Sequence, residues 1–431
     1  MFQKDGKKTG RRIAVGYDLC RKYAQISYCD LTEGEPETVS AVAGTEQYNI
    51  PAVLCKRAGV GQWYYGKEAL NFAKQQEAGG ILVEDLLTLA DRGEEVMVEG
   101  NAYDPVALLT LFVKRSLGLL GMHVPMAKIE AIMFTVEDLT PRMVDVLLRV
   151  AGGLSLEKAN VSFQNHLESF YAYTLHQNKE LYQNDVVVYE YNSVLKMMCL
   201  SCNEHTTPKV VLIGQQEYEQ MLRRVWSTEE ETCKSQKEDL DELFDGIIKE
   251  SLADRQVFLI GDGFKEDWAR ESLRTLCRGR RVFQGNNLYS KGACYGMLER
   301  LSPSEKWKQY VYLGEDKLKS NVGMRALRNG QEAYFAVLDA GSSWYETSAD
   351  YEVILESGDT VEFIITPLTG GKVMDRKVQL TGIPQRPRAA TRLSVHLEMT
   401  SVNQANVTIE DLGFGELFPS SGKAWSSTIT I

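Results

Sequence analysis

Val257-Phe-Leu-Ile-Gly261-Asp262-Gly263-Phe264 is the stretch on which the reading of this chain turns. Four apolar residues of strand character run into two glycines, and a helical stretch follows. Glycines at such a turn let backbone N–H groups come close to a ligand, and a helix N-terminus favours an anion. Nucleotide sites of α/β proteins are built in this way. Gly261, Asp262, Gly263 and Phe264 are therefore candidate nucleotide-binding residues. Further along, Lys291-Gly-Ala-Cys-Tyr-Gly296 reads as a small-residue helix start of the same kind.

Upstream, Ile13 to Val15 leads into Gly16-Tyr-Asp18, and Tyr23 to Leu31 resumes a strand pattern, which predicts a hairpin. Strands are expected over Ile50–Cys55 and Trp63–Tyr65, and helices over Ala69–Gln75 and Pro105–Leu119. Ile129–Val136 is a buried-strand run. A helix opens on Thr140-Pro141, with proline at its tolerated first position, and closes at Gly152-Gly153. Near Val161 the same grammar starts again. It runs through a helix over Leu167–His176 and strands over Asp185–Tyr191, Val194–Ser201 and Val210–Ile213. A helix over Gln215–Trp226 comes next, then an acidic stretch, Thr228–Asp241, read as a solvated loop or helix face. The helix Leu243–Leu252 delivers the chain to Gly261.

Beyond residue 303 the period changes to two. Tyr334–Leu338, Tyr351–Leu355, Thr360–Ile365, Lys377–Leu380, Leu393–Met399 and Ala405–Ile409 read as strands punctuated by Gly, Asp, Asn and Pro. The expected organisation is an α/β part over 1–304, a linker over 305–320 and a β-sandwich over 321–431. The chain's 431 residues are too many for one ordinary core. A formal net charge of −11 disfavours nucleic acid or anionic lipid as the main partner. No apolar run approaches the ~20 residues that cross a membrane. Met1–Arg12 is basic and polar with no apolar segment behind it, so no secretory leader is expected and the cytoplasm is the expected location. The eight cysteines are scattered. Cys199-Leu-Ser-Cys202 with His205 nearby lacks a second ligand pair at fitting spacing, so it is read as strand rather than zinc site.

Two α/β halves in sequence, each opening on a hairpin and followed by a glycine turn, resemble the actin-like ATPase fold. Four C-terminal stretches narrow the likeness: Val378-Gln-Leu-Thr-Gly382-Ile-Pro-Gln-Arg-Pro387-Arg388, Arg392-Leu-Ser-Val-His-Leu-Glu398, Ala405-Asn-Val-Thr-Ile-Glu-Asp411 and Ser427-Thr-Ile-Thr-Ile431. In that order they are similar to the second half of the peptide-binding sandwich of DnaK-type chaperones, the 70-kilodalton heat-shock family. Asn49-Ile-Pro-Ala-Val53 and Tyr65-Gly-Lys-Glu-Ala69 are similar to that family's early strands. The resemblance implies an actin-like ATPase fold of two related lobes followed by an all-β sandwich. It further implies ATP or ADP with Mg²⁺ in the lobes and a protein or extended peptide on the sandwich.

Carried over residue by residue, the resemblance weakens at the phosphate loops. The family's first hairpin, Asp-Leu-Gly with two threonines, stands here as Asp18-Leu19-Cys20-Arg21-Lys22. Asp18, which in the family organises Mg²⁺, is kept. The family's catalytic lysine falls on Leu70. Its Glu-Pro-Thr-Ala-Ala segment appears as Asn165-His166-Leu-Glu168, with Glu168 out of register. Its second hairpin, rich in glycine, appears as Glu190-Tyr-Asn-Ser-Val-Leu195. In-line phosphoryl transfer depends on placed charges, so losses of this kind point to a chaperone-like, non-hydrolysing scaffold rather than an enzyme. The alternative is an active Mg-ATP-dependent ATPase with rearranged catalytic residues, using Asp18, Glu168 or Glu190. The chain stops at Ile431, so the family's helical lid is not expected. Trp344 and Tyr345, in Ala340-Gly-Ser-Ser-Trp-Tyr, are expected as exposed anchors for a protein partner, with Trp425 as another. The apolar residues of 334–338 and 351–365 either line a peptide groove or fill the sandwich core.

Overall fold

Ile13–Leu19 (β1) is buried along its whole length, as a strand covered on both faces must be. In the computed structural model, which describes residues 12–31, 34–42, 44–75, 80–154, 160–178, 185–251, 256–285, 287–328 and 330–431, it forms the expected hairpin with β2 (Tyr23–Asp30). The basic stretch at the N-terminus lies, apart from Arg12, outside the described residues. β3 (Glu37–Thr38) and β4 (Ile50–Pro51) both pair with β2. A small sheet of β5 (Leu54–Arg57), β6 (Trp63–Tyr65) and β7 (Gly80–Val83) follows, with α1 (Gly66–Ala73) between its second and third strands. The single strand read over 50–55 is thus two, parted after Pro51, which has no N–H for a ladder.

After α2 (Leu86–Arg92), the hairpin β8 (Val96–Val98) and β9 (Asn101–Tyr103) leads to α3 (Pro105–Leu117). By length and composition, Pro105–Met122 is apolar enough to cross a membrane, contrary to the sequence reading. Its buried residues, among them Leu109, Phe112, Val113 and Leu117, instead form part of the core. β10 (Ile129–Val136), α4 (Pro141–Gly153), β11 (Asn160–Asn165) and α5 (His166–Leu175) complete the first half. Thr140 caps α4 by accepting the Met143 N–H, as the Thr-Pro start predicts. β10 runs parallel to β1 and β11 parallel to β10, giving the order β11-β10-β1-β2-β3.

The second half repeats the plan with β12 (Val186–Tyr191), β13 (Val194–Asn203), β14 (Lys209–Leu222), α6 (Glu230–Ser251), β15 (Gln256–Ile260), α7 (Arg270–Leu276), β16 (Val282–Gln284) and α8 (Leu288–Leu301). Its order is β16-β15-β12-β13-β14, again an antiparallel hairpin with two parallel strands on its other side. Between β13 and β15 the described residues hold only β14 and α6. The helix expected over 215–226 is therefore largely strand. Its Glu, Gln, Leu and Arg are good helix formers, and Tyr218 and Met221 have helical spacing. Pairing in the sheet and packing in the core of this half override that preference. The acidic stretch proves to be the solvated start of α6.

Lys291–Gly296 lies inside α8 rather than at its start. Its small residues serve packing. A Cβ on Gly292 would stand 1.9 Å from the Ser169 carbonyl oxygen of α5, and one on Gly16 of β1 would stand 2.1 Å from the Ser290 carbonyl oxygen. Gly16 thus backs onto α8, while its neighbour Tyr17 meets Ser116 of α3 at 2.6 Å on the opposite face.

Contacts divide the chain into two compact units, residues 1–202 with 213–308 and residues 203–212 with 309–431. In the second unit, residues 209–211 of β14 run parallel to β17 (Tyr310–Tyr312). An all-β region follows: β18 (Ser320–Arg328), β19 (Gln331–Leu338), β20 (Ser348–Leu355), β21 (Thr360–Pro367), β22 (Met374–Gln379), β23 (Thr391–Ser401), β24 (Gln404–Gly413) and β25 (Ala424–Thr430). Two four-stranded antiparallel sheets, β19-β18-β21-β22 and β20-β23-β24-β25, enclose a core that includes Val322, Phe363, Ile365, Val395, Leu397 and Ile409. β18 was absent from the sequence reading because Gly323 interrupts it; the ring of Tyr334 lies where a Cβ on Gly323 would be. Arg386, from the Gly-Ile-Pro segment, donates to both carboxylate oxygens of Asp411 at 2.7 Å, and Asp411 also accepts the N–H groups of Gly413 and Ser421. That clamp ties the 381–390 connection to the end of β24.

Candidate functional site

The turn after β1 and the start of α5 bring three side chains of different chemistry together. Asp18 is the buried penultimate residue of β1, and Cys20 follows in the turn, its N–H donating to the Tyr23 carbonyl. Asn165 caps α5 by accepting the Glu168 N–H, which sets His166 at the first helical position. His166 Nε2 lies 2.8 Å from Asp18 Oδ1, and Cys20 Sγ lies 3.4 Å from the same oxygen and 4.0 Å from the same nitrogen. Among the described residues, these are the one group of three or more His, Cys, Asp and Glu side chains whose ligand atoms converge closely enough to hold a metal ion.

The second half contributes the cover. Tyr289, on the first turn of α8, stacks on His166 with ring centroids 4.0 Å apart and planes 8° from parallel. Its hydroxyl donates to Glu190 Oε2 at 2.9 Å, and Asn192 donates to Glu190 Oε1 at 2.9 Å. Burial alone would lower the His166 pKa. The charge and hydrogen bond of Asp18, with Glu190 beyond, more than offset it and hold the imidazole above its usual value. Burial raises Glu190, opposed in part by His166 and Tyr289. Burial, then the charges of Asp18 and Glu190, push the Cys20 thiol well up, so it is held as a thiol in this state.

The glycine turn is built into its own chain. Gly261 has φ +100°, and a Cβ there would lie 2.5 Å from the Tyr191 carbonyl oxygen; one on Gly263 would lie 2.4 Å from the Tyr191 ring. Phe264 is a core residue packed with Tyr191, Phe244 and Trp268. Asp262 donates its N–H to Asn192 Oδ1, and its carboxylate pairs with Lys265. Between this turn and Glu190, Tyr23 and Tyr289 remains a cavity of about 10 Å³. Ligand pockets for small molecules measure ~300–1,000 Å³. The residues present therefore do not fit ATP or ADP with Mg²⁺ in this conformation: the glycines meet Tyr191, and Asp18 meets His166.

Of the sequence-predicted residues, the structure joins Asp18 and Glu190 through His166 and Tyr289, whereas Glu168 lies outside the three-ligand group. Leu70 packs in a small core cluster with Val53, Cys55 and Ala69. Trp344 is not the exposed anchor expected; it is half-buried and packs on the sandwich core, and Tyr345 is half-buried with its ring edge-on to Trp344 at 5.8 Å. Trp425 likewise packs on that core and donates to the Thr381 carbonyl. Among the described residues the exposed aromatics are Tyr334 and Phe335 on β19, 50% and 39% accessible, with Phe283 and Phe414 elsewhere. Sequence reasoning missed His166 and Tyr289. The Asn-His pair at a strand-to-helix junction was the available signal for the first, and nothing local marked the second.

An open cleft of about 270 Å³ adjoins the cluster, lined by Cys20 with Arg21, Asp91, Arg92, Glu137 and Asp138. No curated protein matches the chain. Residues 317–431, the all-β region, match a domain described as "Domain of unknown function (DUF8552)". Residues 35–315 match a family described as "Family of unknown function (DUF5716) C-terminal". That match covers more than half of the sequence, and the chain belongs to the DUF5716 family.

Proposed function

We propose that this chain is a chaperone-like protein-binding scaffold. In this reading its two α/β halves keep an actin-like ATPase architecture without hydrolysing ATP, and its sandwich holds an extended segment of another protein. The repeated strand order of the two halves supports the actin-like part. The chaperone part of the reading rests on the sequence likeness of the Gly-Ile-Pro segment, which Arg386 clamps to β24.

The observation that carries the non-hydrolysing reading is the filled cleft. His166 engages Asp18, Tyr289 covers His166, and about 10 Å³ is left beside the glycine turn. Phosphoryl transfer needs placed charge around a bound phosphate, and side chains occupy that room. The protein-binding part rests on β19, the outer strand of its sheet among the described residues, where Ala333, Tyr334, Phe335 and Ala336 are all exposed. Leu327 and Ile354 are exposed as well. An exposed apolar edge strand is a template for adding a strand from a partner.

The test uses the full chain. Calorimetry with Mg-ATP and a phosphate-release assay should show no turnover, while labelled extended apolar peptides should bind and lose affinity in Phe335→Asp. Repeated ATP turnover that Asp18→Ala abolishes would overturn the scaffold reading. Peptide binding indifferent to Phe335→Asp would overturn the assignment to β19.

A further inference from the structure

Asp18, Cys20 and His166 invite comparison with a cysteine–histidine–acid relay, but the geometry is wrong for one. In such a relay the acid holds one ring nitrogen and the nucleophile faces the other. Here the carboxylate and the thiol approach the same atom, His166 Nε2, at 2.8 and 4.0 Å. Three donors aimed at a common point suit the shared coordination of one cation.

The distances agree with that use. Zinc binds carboxylate oxygen at ~2.0–2.2 Å, imidazole nitrogen at ~2.0–2.1 Å and thiolate at ~2.3 Å. Tetrahedral placement at those lengths sets the donors roughly 3.3–3.6 Å from one another. The separations of 2.8, 3.4 and 4.0 Å straddle that range. Shifts of about half an ångström would seat an ion, within the reach of small side-chain rotations. The donor set also selects the ion: thiolate and imidazole favour zinc and its neighbours, whereas magnesium and calcium prefer oxygen throughout. Tyr289 fixes the plane of the imidazole from above. Cys20 lines the 270 Å³ cleft, which provides an entry path and room for a water as fourth ligand.

We propose that Asp18, Cys20 and His166 form a three-ligand site for a zinc-class divalent ion, with its fourth position facing the cleft lined by Arg21 and Glu137. Coordination displaces the protons on Cys20 Sγ and on His166 Nε2, where the ring faces Asp18; both leave to solvent through that cleft, and the imidazole keeps its proton on Nδ1. The site stands independently of the protein-binding reading.

The experiment takes the chelator-treated full chain and titrates it with Co²⁺, then with Zn²⁺ in competition. One equivalent of Co²⁺ should give a thiolate-to-cobalt charge-transfer band with tetrahedral visible bands, and zinc should bleach both. Cys20→Ser should lose the band and at least the ~100-fold in affinity that disturbing a metal site's supporting partners costs, while Cys277→Ser, at an exposed thiol, keeps both. X-ray absorption of the zinc-loaded wild type adds a readout that no misfolded variant can confuse; it should show one sulfur and nitrogen or oxygen neighbours. Absence of a thiolate band in the wild type would overturn the proposal. So would its survival in Cys20→Ser, or a zinc shell with two sulfurs, which would point to Cys29 and Cys294, 3.0 Å apart in the core.

Discussion

Removing one side of the Arg386–Asp411 clamp should unfold the sandwich at markedly lower denaturant. The two side chains are 4% and 0% accessible, the hydrogen bonds are paired at 2.7 Å, and Arg386 also donates to the Pro419 carbonyl at 2.8 Å. Breaking a buried pair by deleting one partner costs about 3–5 kcal/mol, because the survivor keeps its charge and loses its compensation. Asp411→Asn should therefore cost about 4 kcal/mol; at a slope of ~2 kcal/mol per molar urea, that moves the midpoint of the sandwich transition down by about 2 M. Arg386→Met with Asp411→Leu should lose less than either single variant, since neither charge is stranded. The arginine holds the Asp411 carboxyl far below the usual carboxylate range, with the Ser421 and Gly413 donors adding to it. A depressed carboxylate contributes stability that is complete above its unfolded pKa of ~3.9 and is lost as pH falls through the folded value. Below about pH 4 the wild type should lose stability more steeply than Asp411→Asn. Urea unfolding followed by hydrogen exchange at the amides of Gly413 and Ser421 reads the transition locally. A loss below ~1 kcal/mol in both single variants, the worth of an exposed pair, would refute the reasoning.

Gly261→Ala should destabilise the first unit by about 1–3 kcal/mol without nucleotide, since its Cβ would meet the Tyr191 backbone at positive φ; unchanged urea unfolding would return the glycine to a ligand role. Tyr289→Phe keeps the stack on His166 but strips a donor from buried Glu190, a cost of about 1–3 kcal/mol in the same assay. Gly292→Ala should be worse tolerated than Gly246→Ala, which has open space, because the first pushes α8 off α5; thermal unfolding of the two variants ranks them. Phe335→Asp should leave stability within about 1.5 kcal/mol, its main loss being the edge-on contact with Tyr351 at 4.9 Å.

Elements whose local pattern agrees with their tertiary role were legible. Ile129–Val136 is apolar apart from Glu130 and Thr135 because β10 is central, and Thr140-Pro141 carries its own cap. Where local preference and packing disagree, reading failed: 215–222 has helix-forming residues but lies in a strand, and Lys291–Gly296 looks like an anion-binding start because close helix contact demands the same small residues. The site was half-visible. Asp18 came from motif likeness, whereas Cys20 registered only as a lost glycine and His166 only as the neighbour of Asn165, which stands where the family has its glutamate. Their meeting depends on β11 lying two strands from β1 across β10, a relation 146 residues long that no local pattern encodes.

The position of α8 has a consequence for synthesis. This last helix of the α/β halves packs on β1 and β2, its first two strands, with Ser27 of β2 meeting Ser290 at 2.8 Å and Cys29 of β2 meeting Cys294 across 265 residues. During translation the N-terminal sheet emerges early, yet one face of it stays uncovered until residue 301 has cleared the ribosome. Closure of so long a loop is slow, and the exposed apolar face invites association meanwhile. A nascent chain arrested before α8 should therefore expose that face and be bound by chaperones.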